Sequence, residues 1–208
     1  MSFYLNRNNG QQNMKVGLFF GSFNPVHTGH LLIANYFIEF AGFDKVWFVV
    51  SPQNPLKRKD ELLDENLRLK LLQLAIDGDK KFVASDVEFN LERPSYTVRT
   101  LQYLREKFPT EQFYPIIGGD NLQSFHLWKD YEEILKHHEI YVYRRSGYHN
   151  NPLLSNHPKI KVFDVPLLNI SSTYIREMLQ AGKSVKYLVP EAVEQFILKN
   201  NLYVLNVL

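Results

Sequence analysis

His27 and His30 stand three residues apart in the stretch Gly21-Ser22-Phe23-Asn24-Pro25-Val26-His27-Thr28-Gly29-His30. Two imidazoles at the entrance to a helix can both hydrogen-bond an anion held at that helix N-terminus. The stretch follows an apolar run of strand length, residues 15–20, and precedes a helically spaced run from Leu31 to Phe40. The predicted order is strand, glycine-bearing turn and helix, with the first helical turn near Thr28. Free main-chain N–H groups at such a helix start suit a phosphate. A plainer reading stands beside this one. Gly21 and Gly29 are ordinary turn residues, and two histidines lacking a third ligand do not make a zinc site.

A second stretch, Ile170-Ser171-Ser172-Thr173-Tyr174-Ile175-Arg176, places hydroxyls before an apolar-periodic run. That is an ordinary helix N-cap pattern, and the same hydroxyls and N–H groups can bind phosphate. The first stretch resembles the nucleotidyltransferase signature G-x-F-x-P-x-H-x-G-H, and the second is similar to the I-S-S-T-x-I-R signature of the same superfamily. Together, from about Lys15 to Tyr203, the chain resembles the nicotinate/nicotinamide mononucleotide adenylyltransferases, with intervening segments that favour the bacterial nicotinate-nucleotide type.

The resemblance implies direct adenylyl transfer from ATP to nicotinate mononucleotide, giving nicotinate adenine dinucleotide, an NAD precursor, and pyrophosphate. It implies ATP contacts from Gly21, Ser22, Phe23, His27, Gly29 and His30, and from Ile170, Ser171, Ser172, Thr173 and Arg176. Gly118 and Asp120 match a G-x-D element that lies against adenosine; without the resemblance, Asp120 reads equally well as a helix N-cap. Lys57, in the proline-bearing loop after the second strand, matches a basic residue that reaches the ATP phosphates, whereas Arg58 and Lys59 read as solvent charges. His27, His30, Lys57 and Arg176 are the catalytic candidates.

On the mononucleotide side the resemblance implies Asn24, Lys57, Tyr96, Thr97, Trp128 and Arg145. Tyr96 and Thr97 lie in a segment similar to P-S-Y-T-x-D-T-L, with Arg99 where the family carries Asp. Thr97 also reads as the cap of a helix running to Lys107. Trp128 falls in an expected helical stretch with Phe125, where an aromatic is either core or a platform for a pyridine ring. Arg145 matches the arginine of an R-P-G turn, here with Ser146 in place of proline, and its paired donors suit a phosphate. The resemblance implies no protein metal site; Mg²⁺ is expected to arrive on ATP.

The elements that must position these residues follow from periodicity. Apolar runs at residues 45–50, 81–85, 113–117 and 140–143, and alternating basic and apolar side chains at 159–165, read as further strands, interspersed with helical spacing at 61–76, in the segment after 118, and beyond Pro190. The expected fold is α/β: a Rossmann-like, doubly wound, mostly parallel sheet with a small helical C-terminal part. Residues 1–13, polar and rich in Asn and Gln, read as a loosely attached leader, with Met14 a second possible start; residues 14–208 read as one nucleotidyltransferase domain.

Composition narrows the functional classes. With no cysteine among 208 residues, disulfides, thiolate metal sites and a cysteine nucleophile are excluded. A net charge of +2, without a basic stripe interleaved with aromatics, argues against a nucleic-acid partner. There is no membrane-length apolar run and no signal-peptide pattern, so a cytoplasmic location is expected. Oligomeric state is open. So are rival readings on nicotinamide mononucleotide, as a phosphopantetheine adenylyltransferase or cytidylyltransferase, and as a nucleotide-sensing module without turnover.

Overall fold

The computed structural model describes residues 13–52, 62–144, 154, 156–166 and 168–204. Six strands form: β1 (Met14–Gly21), β2 (Lys45–Val50), β3 (Phe82–Ser85), β4 (Glu111–Gly118), β5 (Ile140–Tyr143) and β6 (Ile160–Phe163). They hydrogen-bond in the order β3-β2-β1-β4-β5-β6, and every neighbouring pair is parallel. The helices are α1 (Thr28–Phe40), α2 (Glu65–Ala75), α3 (Thr97–Lys107), α4 (Gly119–Ser124), α5 (Tyr131–His137), α6 (Ser172–Gln180) and α7 (Glu191–Lys199). This is the Rossmann-like arrangement expected from the alternation of elements. No helix among the described residues is long and apolar enough to cross a membrane.

The strands read as nearly continuous apolar runs because both faces of the sheet are covered. Side chains alternate between two cores. Phe19, Val46, Phe48, Val50, Ile116, Tyr141 and Tyr143 enter one core with Phe37 of α1, Leu71 and Leu72 of α2, and residues of α6 and α7. Val16, Leu18, Val49, Ile117, Ile140 and Val142 enter the other with Leu101 and Leu104 of α3 and Ile134 of α5. Phe37, fully buried, packs against Phe43, Tyr141 and Phe163. Its truncation to alanine would cost about 3–5 kcal/mol.

The strand order reverses between β1 and β4, so α1 leaves β1 on one side and α4 leaves β4 at the neighbouring edge. In open α/β sheets the crevice outside the carboxyl ends at such a reversal holds the ligand. Gly21 and Gly118, the last residues of β1 and β4, both stand there.

Three local expectations are corrected. Thr97 is the first residue of α3 and Tyr96 is its N-cap, with no side-chain cap bond, so the hydroxyl does not cap the helix. Asp120 likewise lies inside α4, whose N-cap is Gly118. The stretch holding Phe125 and Trp128 is no continuous helix. It breaks into α4, a 3-10 turn at Phe125–Leu127, and an extended Trp128, followed by a left-handed Asp130 with φ 51°. The break frees the indole from helical direction, and Trp128 lines the crevice while touching Phe125 at a ring distance of 5.1 Å.

Candidate active site

The β1–α1 loop is shaped by close approaches. A Cβ on Gly21 would come within 2.8 Å of the Phe23 ring, which folds back over that position. Phe23 has φ 46°, a left-handed conformation that costs a non-glycine residue about 1–2 kcal/mol. Its buried ring stands edge-on to Phe19, Phe48 and His30. His27 is the N-cap of α1 and is 6% exposed. Its ring stacks on that of His30, with centroids 3.6 Å apart.

The His27 backbone N–H donates to His30 Nδ1 at 3.2 Å. An imidazole that accepts at Nδ1 carries its proton at Nε2. That bond leaves Nε2 as the His30 nitrogen available to donate. Gly29 lets His27 lie close to the first helical turn, since a Cβ there would sit 3.1 Å from His27 Nδ1.

The second signature segment comes to the first. Ser171 caps α6 by accepting from Tyr174 N at 3.1 Å. Ser172 Oγ donates to Pro25 O at 2.8 Å, and Arg176 Nη1 donates to Asn24 O at 2.9 Å. The Asn24 side chain is 3% exposed, and its Oδ1 accepts from Leu63 N at 3.2 Å and Tyr203 OH at 3.0 Å. Thr28 is tied to the segment before α7, its N–H donating to Leu188 O at 2.9 Å. Thr173 is exposed and Ile170 half-buried at the entrance to α6.

Across the crevice a cavity of about 400 Å³ is lined by Gly21, Ser22, Gly118, Tyr96, Thr97 and Trp128 among the expected residues. Its remaining wall includes Phe19, Ile116, Glu88, Ser95, Lys129 and Tyr143. Gly118 is crowded: a Cβ there would meet the Asp120 carboxylate and lie 3.2 Å from the Tyr143 ring. Asp120 itself is exposed. Lys129 Nζ sits over the Tyr96 ring at 4.7 Å, bringing a cation to this rim. Arg99, standing where the family carries Asp, pairs with Glu92 on the exposed side of α3.

Glu88 is 2% exposed at the base of the cavity. Its Oε1 accepts from Thr100 Oγ1 at 2.9 Å and its Oε2 from Ser95 Oγ at 3.1 Å. Burial pushes its carboxyl above the ordinary range, and these hydroxyl donors partly offset that rise.

His27, Phe23, Asn24, Ser172 and Arg176 thus gather with His30 about the β1–α1 loop, while Tyr96, Thr97, Trp128 and Gly118 line the cavity together with Gly21 and Ser22 of that loop. Lys57 and Arg145 lie outside the described residues, as do residues 1–12 of the expected leader. Sequence reasoning passed over Arg68, Glu88 and Tyr203. The helical spacing held a signal for Arg68, because positions 68, 71 and 72 share the buried face of α2. Glu88 and Tyr203 have no comparable local signature.

The described residues include no group of three or more His, Asp or Glu side chains placed to hold a metal ion. The chemistry on offer is anion binding by helix starts, imidazole N–H and guanidinium, beside an apolar slot with an aromatic wall.

Comparison with known proteins identifies the lineage. The cytidylyltransferase-like family pattern matches residues 18–178. A relative from Flavobacterium johnsoniae, named probable nicotinate-nucleotide adenylyltransferase, is 50% identical over 91% of this chain and 99% of its own. One of the same name from Cytophaga hutchinsonii is 49% identical over 91% and 98%. The chain belongs to the nicotinate-nucleotide adenylyltransferase family. A solved nicotinic acid mononucleotide adenylyltransferase from Plasmodium falciparum, in complex with NaAD, superposes with a TM-score of 0.77 at 20% identity, covering 91% of this chain and 97% of that one. At that identity the likeness speaks to the fold. This adenylyltransferase family member accordingly shares the fold of that solved enzyme.

Proposed function

We propose that the chain transfers the adenylyl group of ATP to nicotinate mononucleotide. An oxygen of the mononucleotide 5′-phosphate forms a bond to the α-phosphorus, the bond from that phosphorus to the β-phosphate oxygen breaks, and pyrophosphate leaves with the electron pair. The attacking phosphate is already anionic at neutral pH, so no proton has to be removed from it. Acceleration then rests on alignment and on donors aimed at the charge of the transferring group.

The observation that carries this reading is the joining of two signature segments far apart in sequence. Ser172 and Arg176 of α6 bond the main chain at Pro25 and Asn24, two and three residues before His27 at the start of α1. His30 Nε2–H and His27 are assigned to the phosphate oxygens around the α-phosphorus, with Arg176, Lys57 and the N–H groups of the two helix starts for the outer phosphates. Gly21, Ser22, Phe23, Gly29, Gly118, Asp120 and residues 170–173 complete the ATP side. The mononucleotide is assigned to Tyr96, Thr97 and Trp128, with Arg145 and Lys57 on its phosphate. Asn24 shapes the loop between the two substrates through its bonds to Leu63 and Tyr203.

The family uses ATP with a divalent cation. Here Mg²⁺ is assigned to the ATP phosphates, where it supplies charge neutralisation, consistent with a donor set of imidazoles and cations around the loop. The cytoplasm is the proposed compartment.

The test is pyrophosphate release from ATP and Mg²⁺ with nicotinate mononucleotide and, in parallel, nicotinamide mononucleotide. Release with strong preference for the acid is expected. Equal rates would broaden the acceptor to both pyridine mononucleotides, and no release with either would sink the assignment.

A further inference from the structure

We propose that Arg68 is a positioning residue for His30, acting through the Ser22–Phe23 peptide and the Phe23 ring. The proposal rests on the adenylyl-transfer reading of the site, in which His30 faces the transferring phosphate.

Arg68 lies on the apolar face of α2 with Leu71 and Leu72 and is 1% exposed. A leucine there would satisfy the packing, and burying a charge is costly unless its donors are used. They are used on main-chain oxygens from three separate segments. Nη1 donates to Ser22 O at 2.7 Å and to Ser51 O at 2.9 Å. Nη2 donates to Pro52 O at 3.2 Å, and Nε to Leu63 O at 2.8 Å. One guanidinium therefore fastens the β1–α1 loop to the exit of β2 and to the entrance of α2. Lysine could not do this, because a single ammonium lacks the planar fork that reaches divergent acceptors.

The bond to Ser22 O has a directional consequence. The Ser22–Phe23 peptide is trans, so its N–H points opposite to its carbonyl, away from Arg68. Fixing that plane also fixes where Phe23 begins, and Phe23 then takes the left-handed φ of 46°. Such a conformation persists in a non-glycine residue only where its surroundings over-determine it. From it the Phe23 ring folds over Gly21 and meets the His30 ring edge-on, with centroids 5.1 Å apart and planes at 76°. Phe19 closes on the same imidazole at 5.9 Å, His27 stacks on it, and the His27 N–H holds its Nδ1. The direction of His30 Nε2–H is thus set by a cage whose Phe23 wall depends on Arg68.

The experiment compares Arg68→Met and Arg68→Lys with the wild type in the full chain. It measures kcat, the KM of both substrates, and the His30 ring resonances by NMR with labelled histidine. In folded Arg68→Met, kcat should fall by about 10- to 100-fold while each KM stays within about threefold, the pattern of a misaligned transition-state donor. The His30 ring protons should lose the ring-current shift from Phe23. Arg68→Lys should restore thermal stability better than it restores kcat. Should Arg68→Met fail to fold, Arg68→Lys carries the same test. A folded variant with wild-type His30 resonances, or Arg68→Lys with wild-type kcat, would overturn the proposal. Wild-type enzyme inactive on both mononucleotides would refute the assigned reaction, while displaced or undisplaced His30 resonances would still decide the positioning role.

Discussion

The two sides of the crevice are built differently. Around the β1–α1 loop, polar groups are buried and hold one another through long-range bonds: Arg68 to Ser22, Arg176 to Asn24, Ser172 to Pro25 and Tyr203 to Asn24. Across the cavity, Tyr96, Thr97 and Trp128 are half-exposed and stand on a helix start and an extended turn, with the hydrogen-bonded pair Glu88 and Thr100 buried beneath them. The first side has the rigidity that charge alignment needs, where a displacement of about 1 Å can cost about 100-fold in rate. The second has amphipathic surfaces, which the proposed reading assigns to a ring-bearing substrate. On the proposed assignment chemistry and selection fall to different groups of residues, and substitutions should separate them in kinetics.

The largest effect expected is at His30. His30→Ala should keep the fold and lower kcat by at least about 100-fold, the scale of one lost transition-state donor. Near-normal turnover in a folded variant would break the distinction at its strongest point. Trp128→Ala tests the other side: KM for nicotinate mononucleotide should rise by about tenfold with kcat nearly kept, because the loss is of a stacking surface. An unchanged KM would make Trp128 a core residue that merely touches the cavity.

Smaller effects probe what holds each side. Tyr203→Phe removes only the hydroxyl that donates to Asn24 Oδ1 and should cost about 1 kcal/mol of stability, read as a lower thermal midpoint. Burial pushes the Tyr203 phenol well above its ordinary value, so this bond should persist through the alkaline side of the working range. No change in the midpoint would show that the C-terminal segment adds nothing to the bracing.

Glu88→Gln should show the mildest effect, in the pH dependence of stability. With its folded-state pKa raised, Glu88 contributes stability that is fully present below the unfolded value and lost as pH rises through the folded one. The wild type should therefore gain on Glu88→Gln as pH falls from neutrality towards the ordinary carboxylate range. Parallel pH profiles in thermal melts would assign Glu88 no titration in that window.

Much of the scaffold was legible beforehand. Apolar runs located the first five strands, because burial on two faces writes a continuous apolar pattern, while alternation located β6 and helical spacing the start of α1 at Thr28. The end of α3 at Lys107 was equally readable. The caps were less so. Tyr96 and Gly118, neither of them good side-chain cappers, begin α3 and α4, so hydroxyl and carboxylate residues one or two positions later misdirect the assignment. Trp128 was misplaced for a related reason: aromatic spacing near a helix does not reveal a break that the left-handed Asp130 completes.

The sequence by itself determined the α/β alternation, the two signature segments and the residue types available for phosphate chemistry. Those depend on local pattern, on spacing along the chain and on resemblance carried by contiguous residues. Only the tertiary structure decided what the isolated polar residues do. Arg68 reads as one charge in a leucine-rich helix until Ser22, Ser51 and Pro52 bring their carbonyls to it. Tyr203 is a residue near the chain end until its hydroxyl meets Asn24, 179 positions away. A hydrogen bond requires its two partners to meet at a given distance and angle, and no periodicity in one segment records which distant segment will supply the other half.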